Sequence, residues 1–337
     1  MITIAKPGLL TSVQDLGRYG YQKFGVITSG VMDPVAHRVA NLLVGNDQKE
    51  ATLELTLLGP DMVFSEDTLI SICGGNLSPS IDGKSVKLWR PVWVKAGSKL
   101  KFGGCKTGCR AYLAVAGGFE VPEVMNSKST YIRAGIGGFN GKALQNEDEL
   151  EIGTPSELSA NISKILADQI KDRKFAEMQW TISSEFTVSS ASKPHVRVMK
   201  GRQYDWFTTD SQMKLFTAPF EVTSQSDRMG YRLKGHELSL EEEQEMLSEA
   251  VSFGTIQVPS EGNPIVLLAD RQTTGGYPKI GQIATVDLSI MAQLKPGDKV
   301  QFIEVSHKVA QQLYLDREKK IHQLKQGISL KIRQEIK

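Results

Sequence analysis

The residue types best suited to chemistry lie in one loop of the C-terminal third of the chain. The apolar run 265–268 leads directly into charged, amide, hydroxyl and aromatic side chains: Asp270, Arg271, Gln272, Thr273, Thr274, Tyr277 and Lys279. Gly275, Gly276 and Pro278 interrupt this segment, so it forms a turn and not a core element. Because arginine binds planar oxyanions through paired hydrogen bonds, the loop predicts a site for a small anionic or carbonyl-bearing ligand.

Two other segments, 11–21 and 223–231, share a Thr-Ser start, an aspartate, an arginine and a Gly-Tyr end. The polar residues are Asp15 and Arg18 in the first segment and Asp227, Arg228 and Tyr231 in the second. Each arginine could bind a ligand, lie at the surface or pair with the aspartate near it, and the spacing leaves these interpretations open. Arg18, Arg228 and Tyr231 are therefore candidate site residues beside the Arg271 loop.

Asp33 opens the clearest helix in the sequence. It stands at the N-cap position with Pro34 at the first helical position, and apolar residues follow at helical spacing until Gly45. The turn 29–33 could present backbone donors to a ligand at the start of this helix. Capping by itself also accounts for Asp33 and Pro34.

Other patterns do not complete a known site. The glycine-rich run 135–142 ends in Lys142-Ala143, without the Ser or Thr of a phosphate-binding loop, and is better interpreted as a hairpin turn. Cys105 and Cys109 lack further ligands at zinc-binding spacing, and the histidines form neither a metal motif nor a nucleophile triad. We predict no metal site on this chain.

Composition sets broad limits on the function. The 337 residues are 40% apolar and 23% charged with a net charge of +2, which is typical of a soluble protein that binds neither nucleic acid nor membrane. No apolar stretch of about 18 residues and no signal peptide is visible, so we expect a cytoplasmic protein. Residues 308–337 carry eight Lys or Arg against three acids, which predicts a solvated basic helix.

The elements that must position these residues are mostly short strands. Alternating or apolar runs cut by Gly, Pro, Asn and Asp predict strands at 52–57, 68–73, 92–95, 99–102, 111–115, 196–199, 255–258, 265–268 and 299–303. Besides the helix after Asp33, we predict helices over 161–177 and from Ser306 onward. The chain is therefore expected to be mainly β.

Three sequence anchors recur in the same order in both halves. Besides the two Asp-Arg segments, Glu54-x4-Gly59 parallels Glu249-x4-Gly254, and Gly97-x-Lys99 parallels Gly297-x-Lys299. This order predicts duplication of one β unit. We expect a first β domain at 1–155, a helical linker at 156–193, a second β domain at 194–305 and a basic C-terminal helix at 306–337, with the polar loops facing a cleft between the domains.

The chain resembles the family of 5-oxoprolinase C subunits (KipI antagonist, KipA), which are biotin-dependent carboxyltransferase-like proteins related to the C-terminal subdomain of urea carboxylase. The matching strings are Gly8–Arg18, Ser29–Pro34 with Ala40–Asn46, Arg110–Phe119, Ser226–Leu233 and Pro264–Gly281. The resemblance covers the chain from about residue 6 to residue 304. The resemblance implies two tandem cyclophilin-like β-barrel domains.

It also implies a subunit of an ATP-dependent enzyme that hydrolyses 5-oxo-L-proline to L-glutamate. The implied partners are the KipI-like B subunit of this 5-oxoprolinase and its A subunit. ATP would be bound by the complex on a subunit that the sequence does not identify, and any Mg²⁺ would accompany the nucleotide.

Under this hypothesis, Arg228 and Arg271 hold the substrate carboxylate or an oxyanion, Asp15 or Asp33 assists proton transfer, and the remaining candidates orient the substrate. Those substrate contacts are Arg18, Tyr231, Gln272, Thr273, Thr274, Tyr277 and Lys279. Two alternatives remain open. The chain could be a non-catalytic antagonist that binds a KipI-like histidine-kinase inhibitor, or a carboxyltransferase subunit that uses biotin attached elsewhere.

Overall fold

A computed structural model describes residues 1–170, 172–187 and 194–336. The chain forms two compact units. The first unit comprises Met1–Gly17, Asp33–Val188 and Lys320–Lys337, and the second comprises Arg18–Met32 and Ser189–Lys319. The units therefore do not follow a single cut in the sequence, since residues 18–32 group with the second unit and the end of the chain groups with the first.

The strands of the first unit are β1 Ile2–Lys6, β2 Leu10–Gln14, β3 Thr52–Thr56, β4 Asp61–Phe64, β5 Thr68–Asn76, β6 Ser80–Ile81, β7 Lys84–Ser85, β8 Pro91–Val94, β9 Lys99–Lys101, β10 Thr107–Val115, β11 Glu149–Leu150 and β12 Phe175–Glu177. They form two six-stranded sheets, ordered β11-β1-β4-β9-β6-β7 and β12-β8-β5-β10-β3-β2. One apolar core draws on strands of both sheets, including Ile4, Phe64, Leu53, Ile70 and Leu113. Alternation along each strand places these side chains inward.

Helix α1, Pro34–Leu43, packs against β5 and β10 of the first unit. Asp33 caps it as predicted, because its Oδ1 accepts a hydrogen bond from the Ala36 N–H at 3.1 Å. Gly45, with φ of 78°, lies just beyond its end, where a left-handed residue is favoured.

The strands of the second unit are β13 His195–Lys200, β14 Pro219–Val222, β15 Gly230–Lys234, β16 Glu249–Ala250, β17 Thr255–Gln257, β18 Ile265–Leu267, β19 Thr274–Gly275, β20 Lys279–Ile283 and β21 Lys299–Glu304. Seven of them form a closed barrel ordered β13-β20-β17-β18-β15-β14-β21, and β16 and β19 form a separate two-stranded ribbon. β13 and β21 close the barrel as a parallel pair. The helices α3 Thr209–Thr217 and α4 Leu288–Ala292 belong to the same unit.

The prediction of a mainly β chain is confirmed, and a strand lies at each of the nine predicted positions. The predicted helix over 161–177 is wrong in extent. Helix α2 spans Glu157–Ala167, starting from a Ser156 cap, and the chain then turns into β12. Phe175 and Ala176 pair with β8, so tertiary strand pairing overrides the local pattern there. The last residues of the predicted linker, 188–193, lie outside the described residues.

The predicted helix after Ser306 is confirmed as α5, His307–Ile336. This helix is not solvated on all sides as its many charged residues had suggested, because Ala310, Ile321, Ile328 and Ile332 are buried along it. The charged side chains occupy the remaining surface, as in an amphipathic helix. No helix in the described part of the chain has the length and apolar character that a membrane crossing requires.

One predicted repeat anchor has the same backbone form in both units. Gly97 and Gly297 have φ of 77° and 89°, and each is followed two residues later by a strand, β9 or β21. The Glu anchors differ, since Glu54 is buried in a five-residue strand while Glu249 lies in a two-residue ribbon.

Candidate functional site

In the second unit, the structure brings together three stretches of chain around a buried guanidinium. Arg228 donates from Nε to Asp270 Oδ2 at 2.9 Å and from Nη2 to Asp270 Oδ1 at 3.2 Å. Its Nη2 also donates to the backbone oxygen of Gly30, and Ser29 Oγ donates to Asp270 Oδ1 at 2.7 Å. Arg228 is thus paired with Asp270 and fixes the 29–30 turn beside the loop that starts at residue 270.

Arg271, the next residue in that loop, is placed differently. Its guanidinium carbon lies 5.7 Å from the centroid of the Phe253 ring, and its Nη1 donates to the backbone oxygen of Leu268 at 3.2 Å. Its buried Nε has no hydrogen-bond partner, and no ion pair of Arg271 is found among the described residues. Burial lowers the pKa of Arg271, which the nearby Tyr19 and Asp270 partly oppose. A cation stacked on an aromatic ring with an unused donor is suited to binding an anion.

The rest of the loop is organised by backbone pairing and one ion-pair cluster. β19 pairs with β16, so that Glu249 faces Gly275. Lys279 Nζ lies 2.6 Å from Glu249 Oε2, and Arg202 Nη1 lies 3.3 Å from Glu249 Oε1. The hydrogen bond from Lys279 lowers the pKa of Glu249. Lys279 therefore ties the ribbon to the barrel strand β20, and its predicted substrate contact stays a prediction.

The remaining candidates of the second unit fall into buried and exposed groups. Arg18 is fully buried, and its backbone N–H donates to Thr28 O at 2.7 Å. Tyr231 is buried in β15 and donates its hydroxyl to Leu294 O at 2.9 Å. The more accessible side chains belong to the loop itself: Gln272, Thr273, Thr274 and Tyr277. The exposed loop residues are thus better placed to meet a ligand than Tyr231.

In the first unit, Asp15 is the acceptor of a compact set of neutral donors, here called the Asp15 cluster. Its Oδ1 accepts from Gly17 N–H at 2.8 Å and from the hydroxyls of Ser127 and Ser129 at 2.8 and 2.5 Å. Its Oδ2 accepts from Lys128 N–H at 2.6 Å. These contacts fix the 127–129 loop against the end of β2. The proton-transfer role predicted for Asp15 stays a prediction.

Asp33 belongs to a buried polar network that the sequence reasoning missed. The backbone N–H of Asp33 donates to Tyr112 Oη at 2.8 Å, and Tyr112 Oη donates to Glu54 Oε2 at 2.8 Å. Arg110 Nε lies 4.0 Å from Glu54 Oε1, with both side chains at most 5% exposed. Burial and the charge of Glu54 raise the pKa of Tyr112 well above its usual value, so this hydroxyl stays protonated and positions the start of α1.

A signal for this network was present in the sequence. Thr52, Glu54 and Thr56 alternate with Leu53 and Leu55, so one face of β3 is polar. Tyr112 stands directly opposite Glu54, and Arg110 opposite Thr56, on β10. Residues of α1 and its cap reach this face: His37 contacts Thr52, and Asp33 is linked to Glu54 through Tyr112. Sequence alternation shows that the face is polar but not that a helix buries it.

His37 lies on the same helix and is fully buried. Its Nδ1 is 2.9 Å from Thr52 Oγ1, and its ring meets Tyr112 edge-on at 6.5 Å between centroids. Burial lowers the pKa of His37 to about 4, which the charge of Asp15 opposes. The histidine is therefore neutral at physiological pH.

The glycine-rich run 135–142 is a closed turn in the first unit. Tyr131 and Ile136 form an isolated bridge, and Gly141 N–H donates to Gly137 O at 2.8 Å. A Cβ on Gly138 would lie 1.9 Å from Thr130 Oγ1, so the space inside the turn is filled by the protein itself. The run does not form the open nest of N–H groups that phosphate-binding loops use.

The sequence matches the model of the family described as "Carboxyltransferase domain, subdomain A and B" over residues 24–304. The chain belongs to this carboxyltransferase family. Among curated proteins, it is 36% identical over 324 residues to the 5-oxoprolinase C subunit of Escherichia coli (strain K12), covering 96% of this chain and 97% of that relative. The 5-oxoprolinase C subunit of Haemophilus influenzae is also 36% identical, over 95% of this chain and 98% of its own length.

The fold is also that of a solved enzyme domain. The crystal structure of the K. lactis urea amidolyase is 30% identical, with a TM-score of 0.84, and the match covers 95% of this chain. That match spans only 20% of the amidolyase chain, so the likeness is confined to one part of the amidolyase. The proteins named in these comparisons are enzymes or enzyme subunits.

Proposed function

We propose that this chain is the C subunit of an ATP-dependent 5-oxoprolinase, which hydrolyses 5-oxo-L-proline to L-glutamate when joined by its KipI-like B subunit and its A subunit. The observation that carries the proposal is the match to two curated relatives of that name, over nearly the full length of both this chain and each relative. A shared domain inside a longer, unrelated enzyme would not give this mutual coverage.

Within this proposal, Arg271 binds the negative charge of the substrate. 5-Oxo-L-proline carries a carboxylate, and water addition to its lactam carbonyl develops negative charge on oxygen. Arg271 offers a half-buried cation with an unused Nε, whereas Arg228 is engaged with Asp270 and Gly30. Arg228 then acts as a positioning residue that holds the neighbouring turn. Gln272 and Thr273 lie in the same loop as Arg271 and orient the lactam.

ATP supplies the free energy for opening a lactam that amide resonance stabilises. The glycine-rich run 135–142 does not fit its phosphates, because the turn is filled by Thr130 and by its own backbone. The described residues also contain no group of three or more His, Cys, Asp or Glu that could hold Mg²⁺. We therefore assign no catalytic step of this chain to ATP or Mg²⁺.

A second candidate is carboxyl transfer with biotin supplied by another protein. It is favoured by the family match and by the TM-score of 0.84 with urea amidolyase. In that case the Arg271 loop would hold the carboxylated cofactor or the acceptor. The near full-length 5-oxoprolinase relatives favour lactam hydrolysis over carboxyl transfer.

The test is reconstitution with the other two proteins of the proposed enzyme. The three proteins are purified separately and mixed, and glutamate release from 5-oxoproline is measured with each protein or ATP omitted in turn. We expect product only in the complete mixture. Full activity without this chain would contradict the proposal, and ATP- and biotin-dependent carboxylation of urea by a mixture containing this chain would support the second candidate instead.

A further inference from the structure

The first unit has a cavity of about 460 Å³ whose wall combines the free edges of its two sheets. β7 ends one sheet and β12 ends the other, and both line the cavity. Gln169, Arg173 and Lys174, which precede β12, complete the wall. This basic cavity contains none of the candidate residues described above.

Its charges are strongly unbalanced. Four cationic side chains line it, Lys84, Lys87, Arg173 and Lys174, against the single carboxylate of Glu177. Glu177 is already paired with Lys87, because its Oε1 lies 3.1 Å from Lys87 Nζ and its Oε2 accepts a hydrogen bond from the Lys87 N–H at 3.1 Å. Among the described residues, the other three cations form no ion pair. All four cations are solvent-exposed, so water and salt screen part of their mutual repulsion, and an anion bound among them would lower the remainder.

The backbone that carries these cations is held in place before any ligand binds. Lys174 O accepts from Lys95 N–H at 3.0 Å, and Arg173 N–H donates to Ile170 O at 2.9 Å. Phe175 pairs with Val94 and packs its ring against the core. Because the backbone of the wall is already fixed, less conformational entropy is lost there when a ligand binds.

Lysines at sheet edges also protect proteins against edge-to-edge aggregation, and this could explain Lys84 on β7. It does not explain the other three cations. Arg173 and Lys174 precede β12, and Lys87 follows β7, so they are not on the exposed strand edges. Their common feature is the cavity.

We propose that this basic cavity binds a compact polyanion containing two or three linked phosphates. Its volume lies in the range of small-molecule sites, about 300–1,000 Å³, whereas a nucleic acid duplex needs an extended surface. Arginine and lysine together suit phosphate oxygens, the first through its planar fork and the second as a mobile point charge. The shared chemistry is the phosphate chain, which a free polyphosphate or a nucleotide could supply.

The proposal is tested by calorimetric titration of the isolated full-length chain at low salt with inorganic triphosphate and, separately, with ATP. We expect one saturable site with a Kd below about 1 mM for triphosphate, weakening as salt is added. Arg173→Glu and Lys84→Glu should each weaken binding about tenfold or more. The matched control is Lys106→Glu, which reverses an exposed lysine of the same unit outside the cavity and should leave the Kd within about twofold. Thermal unfolding confirms that each variant is folded.

The two probes distinguish the source of the phosphates. Equal affinities would show that the phosphate chain alone is recognised, and tighter ATP binding would show that the base contributes as well; both results support the site. The proposal is overturned if neither probe gives saturable binding, if Lys106→Glu weakens binding as much as Arg173→Glu, or if single-stranded RNA outcompetes triphosphate and shows the same Arg173 dependence. It does not rest on the 5-oxoprolinase proposal, because binding is measured without partners or substrate.

Discussion

Two aspartates of this protein are equally buried but are held in opposite ways. Asp15 in the first unit and Asp270 in the second are each 8% exposed. Asp15 accepts hydrogen bonds from neutral backbone and hydroxyl donors, while Asp270 faces the guanidinium of Arg228. The Asp270 pair has no net charge, whereas in the described part of the chain no cation pairs with the Asp15 carboxylate.

The two aspartates therefore have different structural roles. The Arg228–Asp270 pair connects turn 29–30 to the loop that carries Arg271, so its loss should affect both the fold and the candidate site. The Asp15 cluster connects β2 to the 127–129 loop within its own unit, so its loss should affect stability first.

The largest expected effect comes from breaking the pair. Arg228→Met leaves the Asp270 carboxylate buried without its cation and should lower the free energy of unfolding by about 3–5 kcal/mol. Chemical denaturation followed by fluorescence measures this change. Because Arg228→Met combined with Asp270→Leu removes both charges, the double variant should be more stable than Arg228→Met alone. A double variant that loses the sum of the two single effects would contradict the coupling.

The second effect concerns pH and the buried His37. In the unfolded chain this histidine binds a proton below its usual pKa of 6.5, while in the folded chain it stays neutral until about pH 4. The unfolded state therefore binds more protons between these values, and stability falls by about 3 kcal/mol as pH drops across that window. Unfolding at several pH values should show His37→Gln flattening this dependence. The exposed His307, replaced by Gln, serves as control and should leave it unchanged.

Asp15→Asn tests the aspartate that is held by neutral donors. An amide nitrogen cannot accept the Lys128 N–H, so the variant should lose about 2 kcal/mol of stability, less than Arg228→Met. Removing the carboxylate charge should also move the pKa of His37 below 4, since Asp15 raises it in the native protein. NMR titration of His37 measures this shift. Asp227→Asn is the matched control, because Asp227 makes a similar turn contact to Met229 N–H at 2.8 Å but is exposed.

The smallest effect is expected at the helix cap. Asp33→Ala removes the acceptor for Ala36 N–H and should cost about 1 kcal/mol, whereas Asp33→Ser, which can still cap, should cost less. Thermal unfolding of both variants measures the difference. Equal losses would show that the side chain of Asp33 does something other than capping.

Much of the fold could be predicted from local patterns. Strands such as 52–56 and 265–267 are visible as short apolar or alternating runs, and the cap at Asp33 follows from residue preference. The extent of α2 could not be predicted in this way, because the pairing of 175–177 with β8 depends on residues far away in sequence. For the same reason, nothing local indicated that residues 18–32 group with the second unit.

The sequence indicated which segments contribute to the candidate site, but not which side chains pair with each other. The sequence pointed to Arg228, Arg271 and the turn at 29–33, yet gave no means to decide which arginine would be paired. The structure distinguishes them, because Asp270 accepts hydrogen bonds from Arg228, whereas among the described residues no hydrogen bond or ion pair joins it to Arg271. The prediction that both Asp-Arg segments face a common cleft stays a prediction.

The most direct measurement of the central claim is kcat/KM for 5-oxoproline in the reconstituted enzyme with Arg271→Ala. We expect a loss of about a hundredfold or more, because this guanidinium meets charge that develops during water addition. The control is Arg232→Ala, an exposed arginine of the same unit, which should retain activity within about twofold. Unchanged kcat/KM in a folded, fully assembled Arg271→Ala enzyme would contradict the account.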